Sequence, residues 1–564
     1  MNRTLRFTPE RGLLLTIAIT AVMYWRDLSY DFLLDDVPLI MMNPTITSWR
    51  NWKIMLQNNI FFSPYAPPGK SIHYRPLYVF WLTLNHQVFG MVLPWWHLTS
   101  LLLHLIATVL VYLLGVKFLK QRWLGVLAAA LFALHPIHTE SVAYVTASTD
   151  LLVAVFFIAA LLLYFRYRED GGQVGYLVAS VCSAGAAMLC KESAGMIPWT
   201  LVAYEMLREK PENEQPFWKR YVWTLPYFAV VAAYLALRTL LFGPNAGPGP
   251  GGNRLAALAD VPLLGLIYLK NLFFPTSLSF YYPGEWSAHW TVAKAFAAVV
   301  VLVAAVMIWK RQTDHREIRI LLSWMAILFV PAVLTVTTFN KDEWVHDRHM
   351  YLTSIPFCIL IAGLLYQLRL SKRALVLVSS GMILVLGVAT YYQVPRFKDE
   401  VAVFASAVKV APDNGTMHQF YAQALWNYNL REQALEEYRT VIRLQPNLPD
   451  PYEQYATSLS EMGRTDQALV EFEKSLERVP ARSPWRGHLL YRIANIESER
   501  SELDAAEAHL REAVAVAPEA LNYHYALAEV LRKQGHPAEV DDLLRIEASN
   551  RKKFIDKTKT TEQR

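Results

Sequence analysis

Cysteine is scarce in this chain: Cys182, Cys190 and Cys358 are the only three among 564 residues. All three lie in or beside apolar stretches, so the sequence offers neither a disulfide framework nor a cysteine-based metal site. Charged residues are also few, at 18% of the chain. No stretch interleaves basic and aromatic residues as nucleic-acid-binding surfaces do, and we therefore expect no DNA or RNA partner.

Hydrophobic residues, by contrast, make up 54% of the chain. Before residue 394 there are many apolar stretches long enough to cross about 30 Å of hydrocarbon, and after it there are none. Charge divides at the same point, with 31 Lys+Arg against 21 Asp+Glu in residues 1–394 and 23 against 27 in residues 395–564. The sequence thus predicts a polytopic membrane domain over 1–394, with an outer loop over 31–96, and a soluble domain after it.

The apolar stretches predict about eleven helical membrane crossings, while the segment 76–90 is too short to cross and is predicted as an interfacial helix. Basic residues are densest in the loops that are cytoplasmic when the N-terminus is inside, which agrees with the positive-inside rule. An odd number of crossings then places the soluble domain outside the cytoplasm. We favour the bacterial inner membrane and periplasm; in a eukaryote the corresponding site is the ER membrane and lumen. The predicted crossings are 12–30, 97–116, 122–136, 148–165, 173–190, 194–208, 220–242, 291–309, 319–338, 350–368 and 373–393.

Proline recurs in the soluble part at intervals of 34, 34 and 38 residues. These prolines are Pro412, Pro446, Pro480 and Pro518. A small residue stands 12 positions before each of the last three, as Ala434, Ala468 and Ala506. This is the tetratricopeptide pattern, in which small residues let two antiparallel helices approach and a proline ends the second helix. We predict about four repeats over 395–549, forming an α-solenoid with a concave protein-binding surface, and a basic tail over 550–564.

Four polar segments lie at helix ends that the predicted topology places on the outer face. They are Asp35–Asp36, 135–141, 191–193 and 345–350. Charged and histidine-rich ends of independent loops that share one face indicate the rim of a single cavity.

Asp35 and Asp36 are the most informative of these residues, because adjacent carboxylates at a membrane surface are costly to desolvate. Either one could serve as a general base that accepts a proton from an acceptor hydroxyl. The alternative is a solvated pair that caps the short helix after it. The Val37-Pro38 sequence keeps the pair out of a continuing helix, which suits a base carried on a loop.

Three cations at the predicted outer edge, Arg75, Lys191 and Arg348, could bind a phosphate at the depth of the lipid headgroups. Each also has a structural alternative, as an interface anchor or as one partner of an ion pair. The residues that we expect to support the site are His135, His138, Glu140, Glu192 and His346. Because Pro136 interrupts the helix between the two histidines, their spacing does not assure a shared face, and a metal site is not favoured.

Several short motifs occur in the order seen in one family. They are Leu34-Asp-Asp-Val37, His73-Tyr-Arg-Pro-Leu77, Trp96-His-Leu98, His135-Pro-Ile-His-Thr-Glu140 ahead of Asp150, Lys191-Glu192, and Arg348 ahead of Tyr351-Leu352. In this order they resemble the transmembrane-and-tetratricopeptide-repeat protein O-mannosyltransferases and their bacterial relatives, which have the GT-C glycosyltransferase fold. The resemblance covers nearly the whole chain, including the repeats.

The resemblance implies transfer of a sugar, mannose or another hexose, from a polyprenyl-phosphate carrier to a Ser or Thr hydroxyl of an extracytoplasmic protein. It implies that the acidic residues of the first loop serve the reaction and that the repeats recruit the acceptor protein. The lipid-linked donor is the one small-molecule partner expected, and a divalent metal is not favoured.

Two other functions compete with this one. A lipid or glycan flippase would place polar residues near the bilayer midplane and show internal symmetry, which we do not find in residues 1–394. A non-catalytic scaffold explains the repeats but gives no reason for the four polar segments to share a face. We therefore expect a membrane glycosyltransferase.

Overall fold

A computed structural model describes residues 8–61, 73–169, 171–208, 217–243, 260–276, 278–282, 315–337 and 345–562, and ten residues between 296 and 312. These residues form helices, turns and loops, with no strand among them, which confirms the predicted mainly α class. The chain divides into two compact units, of which the first ends at Val410 and the second begins at Ala411.

The first unit is a set of apolar helices. Ten of the eleven predicted crossings coincide with helices, and the remaining one, 291–309, lies largely outside the described residues. The segment 76–90, predicted as an interfacial helix, is also helical. The described α-helices are α1 (Pro9–Met23), α2 (Trp52–Gln57), α3 (Pro76–Phe89), α4 (Leu93–Leu119), α5 (Arg122–Ala133), α6 (Thr139–Ala143), α7 (Ser148–Glu169), α8 (Val174–Cys190), α9 (Ile197–Leu207), α10 (Leu225–Phe242), α11 (Val261–Phe273), α12 (Arg316–Val333), α13 (Tyr351–Gln367), α14 (Lys372–Gln393) and α15 (Glu400–Val410).

Within the described residues, five helical stretches are long and apolar enough to cross a membrane. They are Leu93–Leu119, Val145–Glu169, Lys219–Phe242, Asp347–Gln367 and Lys372–Phe397. A sixth is added if α5 and the helical segment Pro136–Ala143, which meet at a bend of 52°, form one broken span. Helices such as α1 and α9, with 15 and 11 residues, fall below this length. The chain is thus a multi-pass membrane protein, and the count of eleven crossings stays a prediction.

Helices α4 and α5 approach closely because glycines face each other across their contact. A Cβ atom on Gly125 would lie 2.6 Å from Val116 Cγ2 and 3.0 Å from the Tyr112 carbonyl oxygen, and one on Gly115 would lie 3.2 Å from Gly125 Cα. Small residues at such contacts let apolar helices pack tightly in a membrane. This contact fixes α5, and with it the bend that leads to α6 and the start of α7.

The second unit consists of paired antiparallel helices. The first helices of the pairs are α16 (Gly415–Asn427), α18 (Pro449–Glu461), α20 (Pro484–Glu499) and α22 (Tyr523–Lys533). The second helices are α17 (Arg431–Leu444), α19 (Thr465–Arg478), α21 (Leu503–Val516) and α23 (Val540–Glu562). The alanines Ala434, Ala468 and Ala506 are each fully buried, as the repeat pattern requires. The last helix continues through most of the segment that the composition marks as a basic tail.

The segment between Val394 and Val410 belongs to the first unit, although the composition changes at residue 394. Two residues of this segment accept hydrogen bonds from the outer loop. Asp31 N donates to the Lys398 carbonyl oxygen at 3.0 Å, and Leu34 N donates to Glu400 Oε1 at 3.2 Å. Phe397 and Val403 are buried in one cluster with Leu33 and Tyr144. The change of unit therefore falls sixteen residues later than the change of composition, because this amphipathic segment packs on the membrane unit.

Candidate functional site

Asp36 lies in the outer loop after α1 and is fully buried. Its Oδ2 accepts a hydrogen bond from Leu33 N at 2.9 Å, and its Oδ1 accepts one from Thr146 N at 2.7 Å and another from the Thr146 hydroxyl. Burial raises the pKa of Asp36 to about 7, against the opposing effect of these hydrogen bonds. The carboxyl group is therefore held rigidly and titrates near neutral pH, as a general base does.

The loop reaches this position through a strained turn. Leu34 has a φ of +44°, in the left-handed region that leucine rarely adopts. Thr146 is fixed in turn by helix α3, because Tyr78 OH donates to the Thr146 carbonyl oxygen at 3.1 Å. Strained backbone that the surroundings hold in place is concentrated at functional sites.

Asp35 differs from its neighbour, since its side chain is only half-buried. Its backbone N–H donates to Tyr144 OH at 3.0 Å. The side chain lies within electrostatic range of both Arg348 and His346. Of the two adjacent carboxylates, Asp36 is the one with a built hydrogen-bond environment.

Arg348 is paired with Glu140 across 208 residues of sequence. Its Nη1 donates to Glu140 Oε1 at 2.8 Å, and its backbone N–H donates to Oε2 at 3.0 Å. The guanidinium carbon lies 5.8 Å from the Tyr144 ring centre and 5.9 Å from that of Phe280. Among the described residues its Nε and Nη2 have no hydrogen-bond acceptor, so the guanidinium retains donors for a further anion.

Lys191, at the end of α8, is paired with Asp150 in the first turn of α7. Its Nζ lies 2.6 and 2.7 Å from the two carboxylate oxygens of Asp150. Burial lowers the pKa of Lys191, and Asp150 opposes that shift. The structural alternative of an ion pair thus holds for Lys191, but its partner is Asp150 and not the adjacent Glu192, which bonds a different residue.

Glu192 bonds Arg75 instead. Arg75 Nη2 donates to Glu192 Oε2 at 2.8 Å, and Tyr234 OH and His73 also lie against this carboxylate. Although burial acts to raise it, the charges of Arg75 and His73 hold the pKa of Glu192 below its usual range. Arg75 is thus anchored to the loop that follows α8.

These pairs form one electrostatic cluster within the first unit. Lys191 lies within electrostatic range of Arg75 and Arg348, and Arg348 lies within range of Asp35 and Asp150. Of the four segments predicted to come together, three contribute to this cluster through Asp35, Lys191 and Arg348, and the 135–141 segment contributes Glu140 but neither His135 nor His138. The predicted donor-binding cations are not free, however, since each is already bound to a carboxylate.

The two histidines of the 135–141 segment point into the helical core. His135 Nε2 lies 2.9 Å from the Leu272 carbonyl oxygen, and His138 Nε2 lies 2.8 Å from Ser354 Oγ. The His138 ring packs 4.4 Å from Phe132 and 4.7 Å from Tyr351, centre to centre. Both thus have the contacts of buried structural histidines. His346 lies closer to the charged cluster, 3.5 Å from Glu140.

Among the described residues, no group of three or more His, Cys, Asp or Glu side chains is arranged to hold a metal ion.

Sequence reasoning missed several residues of this site. Thr146 and Tyr144 are ordinary-looking residues in a short helical turn, and nothing in the sequence marks them. Asp150 was noted only as part of a motif, although an acidic residue at the start of an apolar helix is a usable signal. A buried pair near Asp36, Asp27 and His97 at 3.3 Å, was also not singled out.

Residues 74–237 match the family model described as dolichyl-phosphate-mannose-protein mannosyltransferase. The chain is 23% identical to "Protein O-mannosyl-transferase TMTC3" of Homo sapiens, over 93% of this chain and 62% of that protein. It is 37% identical to "Protein O-mannosyl-transferase Tmtc1" of Drosophila melanogaster, over 34% of this chain and 22% of that protein. The chain thus spans less than two thirds of the length of these relatives.

A solved structure of the Archaeoglobus fulgidus oligosaccharyltransferase matches 72% of this chain and 58% of its own, at 14% identity and a TM-score of 0.41. The sequence matches confirm the resemblance predicted from the motifs, and the matched family segment contains Arg75, Glu140, Lys191 and Glu192 but neither Asp36 nor Arg348.

Proposed function

We propose that this protein transfers a hexose from a polyprenyl-phosphate carrier to Ser or Thr hydroxyls of extracytoplasmic proteins. The observation that carries the proposal is the buried Asp36 carboxyl, held by Leu33 and Thr146, next to an Asp35 that lies within electrostatic range of Arg348. The similarity to proteins named O-mannosyl-transferases supports a protein acceptor and mannose as the first sugar to test.

In this proposal Asp36 accepts the proton of the acceptor hydroxyl as its oxygen attacks the anomeric carbon of the sugar. The bond from that carbon to the donor phosphate breaks, and the polyprenyl phosphate leaves with the electron pair. One base suffices for such a single displacement, and no covalent sugar–enzyme intermediate forms. Asp35, half-buried next to it, is the second candidate for this role.

The leaving phosphate requires cations that are not fully neutralised by the protein. Arg348 is the best partner, because its Nε and Nη2 have no acceptor among the described residues and its planar fork suits two phosphate oxygens. Lys191 and Arg75, held by Asp150 and Glu192, lie within electrostatic range of each other and are the further candidates for contact with the phosphate. Glu140, Glu192 and His346 orient these cations and do not react.

The repeats serve in this proposal to recruit the acceptor protein, and the membrane unit supplies the chemistry. The proposed location is the bacterial inner membrane, with the N-terminus in the cytoplasm and the repeats in the periplasm. The basic-residue distribution supports this orientation.

The experiment is transfer by the purified protein in liposomes that contain polyprenyl-phosphate mannose, with a Ser/Thr peptide as acceptor and mass spectrometry as readout. Asp36→Asn keeps the shape of the side chain but removes the base, so we expect a loss of about 10²- to 10⁴-fold. Glu10→Gln, which also removes one carboxylate charge but lies in the exposed Arg122–Glu10 pair, is the control and should transfer normally. Normal transfer by Asp36→Asn and by the Asp35→Asn/Asp36→Asn double variant would contradict the proposal.

A further inference from the structure

A cavity of about 390 Å³ opens on the second unit, along the first helices α16, α18 and α20 of three consecutive repeats. Two tryptophans line it, Trp426 from α16 and Trp485 from α20. Between them α18 contributes Asp450, Gln454 and Glu461, which recur at nearly whole turns and so share one side of that helix. The cavity therefore has aromatic ends and an acidic floor.

The floor contains a carboxylate without a cationic partner and an amide oxygen without a hydrogen-bond donor, both among the described residues. Asp450 accepts hydrogen bonds from two amide groups, those of Gln419 and Gln454, and no basic side chain of the described residues forms an ion pair with it. Gln454 Oε1 is shielded from solvent and has no hydrogen-bond partner in the described part of the chain. A buried acceptor without a donor is costly, so this cavity is incomplete without a donor-bearing group.

The other carboxylates of the cavity are partly satisfied by the chain itself. Glu461 lies 3.8 Å from Arg431, whose guanidinium carbon lies 4.0 Å from the centre of the Trp426 ring. Glu453 lies 3.2 Å from His488 and accepts a hydrogen bond from the indole N–H of Trp485. The rim thus already shows a guanidinium held between a tryptophan face and a carboxylate.

We propose that this cavity binds the basic side chain, lysine or arginine, of an extended protein segment. Such a side chain carries several N–H donors and no acceptor, which is the complement of Asp450 and Gln454 Oε1. Its apolar stem and its cation both suit the tryptophan faces. The repeats as a whole have the matching charge, with 23 Asp+Glu against 14 Lys+Arg from residue 411 to residue 549.

The biological meaning of this site rests on the proposed function: acceptor proteins would be selected by a lysine or arginine in an extended segment of their chain. The binding itself does not depend on the donor or on the transfer step. The two proposals can therefore fail separately.

The test uses the full-length protein in detergent and two fluorescent peptides of equal length, one of repeated Ser-Ala-Lys and one of repeated Ser-Ala-Glu. Fluorescence anisotropy should show binding of the lysine peptide that weakens with added salt, and no comparable binding of the glutamate peptide. Asp450→Asn, and likewise Trp485→Ala, should weaken binding of the lysine peptide by about fivefold or more. Gln454→Met serves as a further variant in case one of these fails to fold.

Glu473→Gln is the matched control, because Glu473 is exposed on α19, lies outside the cavity and loses the same charge. It should bind the lysine peptide normally, and so should Asp36→Asn, whatever its transferase activity. Equal binding of the two peptides would overturn the proposal. So would unchanged affinity for the lysine peptide in all folded cavity variants.

Discussion

The Lys191–Asp150 ion pair allows a test of whether a cation that is already bound to a carboxylate also contacts the phosphate of the donor. The Lys191 ammonium lies 2.6 and 2.7 Å from the two Asp150 oxygens, and the side chains are 14% and 6% exposed. Asp150→Asn leaves a mostly buried ammonium without its counter-charge. Breaking one side of a buried ion pair costs about 3–5 kcal/mol, and we expect a loss of unfolding free energy near the lower end because some solvent reaches Lys191.

The double variant Asp150→Asn/Lys191→Met removes both charges and should recover most of that loss, to within about 1 kcal/mol of the original protein. Stability is measured by denaturant unfolding in detergent, and donor use by the apparent KM for polyprenyl-phosphate mannose in the same preparations. If Lys191 also contacts the donor phosphate, the double variant regains stability while its donor KM stays raised. Glu10→Gln, at the exposed Arg122–Glu10 pair, should change neither quantity.

Two results would refute this reasoning. Full recovery of donor use by the double variant would mean that Lys191 has a structural role alone. An Asp150→Asn protein with unchanged stability would mean that the pair contributes nothing to folding.

Three further predictions concern Asp36, Arg348 and Gly125. Because the pKa of Asp36 is raised to about 7, log kcat/KM should fall by about one per pH unit below that value as the base is protonated; a flat profile from pH 5 to 8 would exclude it as the base. Arg348→Ala should raise the donor KM strongly and Arg348→Lys should restore it only in part, since an ammonium cannot replace a planar fork; equal KM values would argue against Arg348 as the phosphate partner. Gly125→Ala should lower the unfolding free energy by about 1–3 kcal/mol through its contacts with Val116 and Tyr112, whereas Gly185→Ala, which has open space around it, should not.

The helices and repeats could be predicted because their signals are local. Apolar runs, and a proline and an alanine at fixed spacing, lie within a few tens of residues and require no knowledge of packing. The number of crossings is harder, since apolar length does not separate a span from a short buried helix such as α9. Composition changes at residue 394, and it cannot show that the segment after that residue packs against the outer loop.

For the candidate site, the sequence predicts which polar helix ends lie on one face, but not which side chains bond one another. That Asp35, Glu140, Lys191 and Arg348 come together follows from the predicted topology, but their pairing does not. Arg348 bonds Glu140, 208 residues away in the sequence. Lys191 bonds Asp150, 41 residues away, and not its neighbour Glu192. Likewise, no sequence feature shows that His138 faces Phe132 and Tyr351 and not the charged cluster.

The loop that carries Asp36 is held in place by hydrogen bonds to Lys398 and Glu400 and by hydrogen bonds to Tyr144 and Thr146. Its own turn at Leu34 constrains it further. Its ordering entropy is therefore lost when the protein folds and not when the substrates arrive. The carboxylate needs no induced fit to reach its position, so the barrier to reaction contains little reorganisation of this group. The proposed transfer therefore depends on the segment 394–410 as well. Loosening that segment would release the loop and slow the proposed transfer without altering any side chain of the charged cluster.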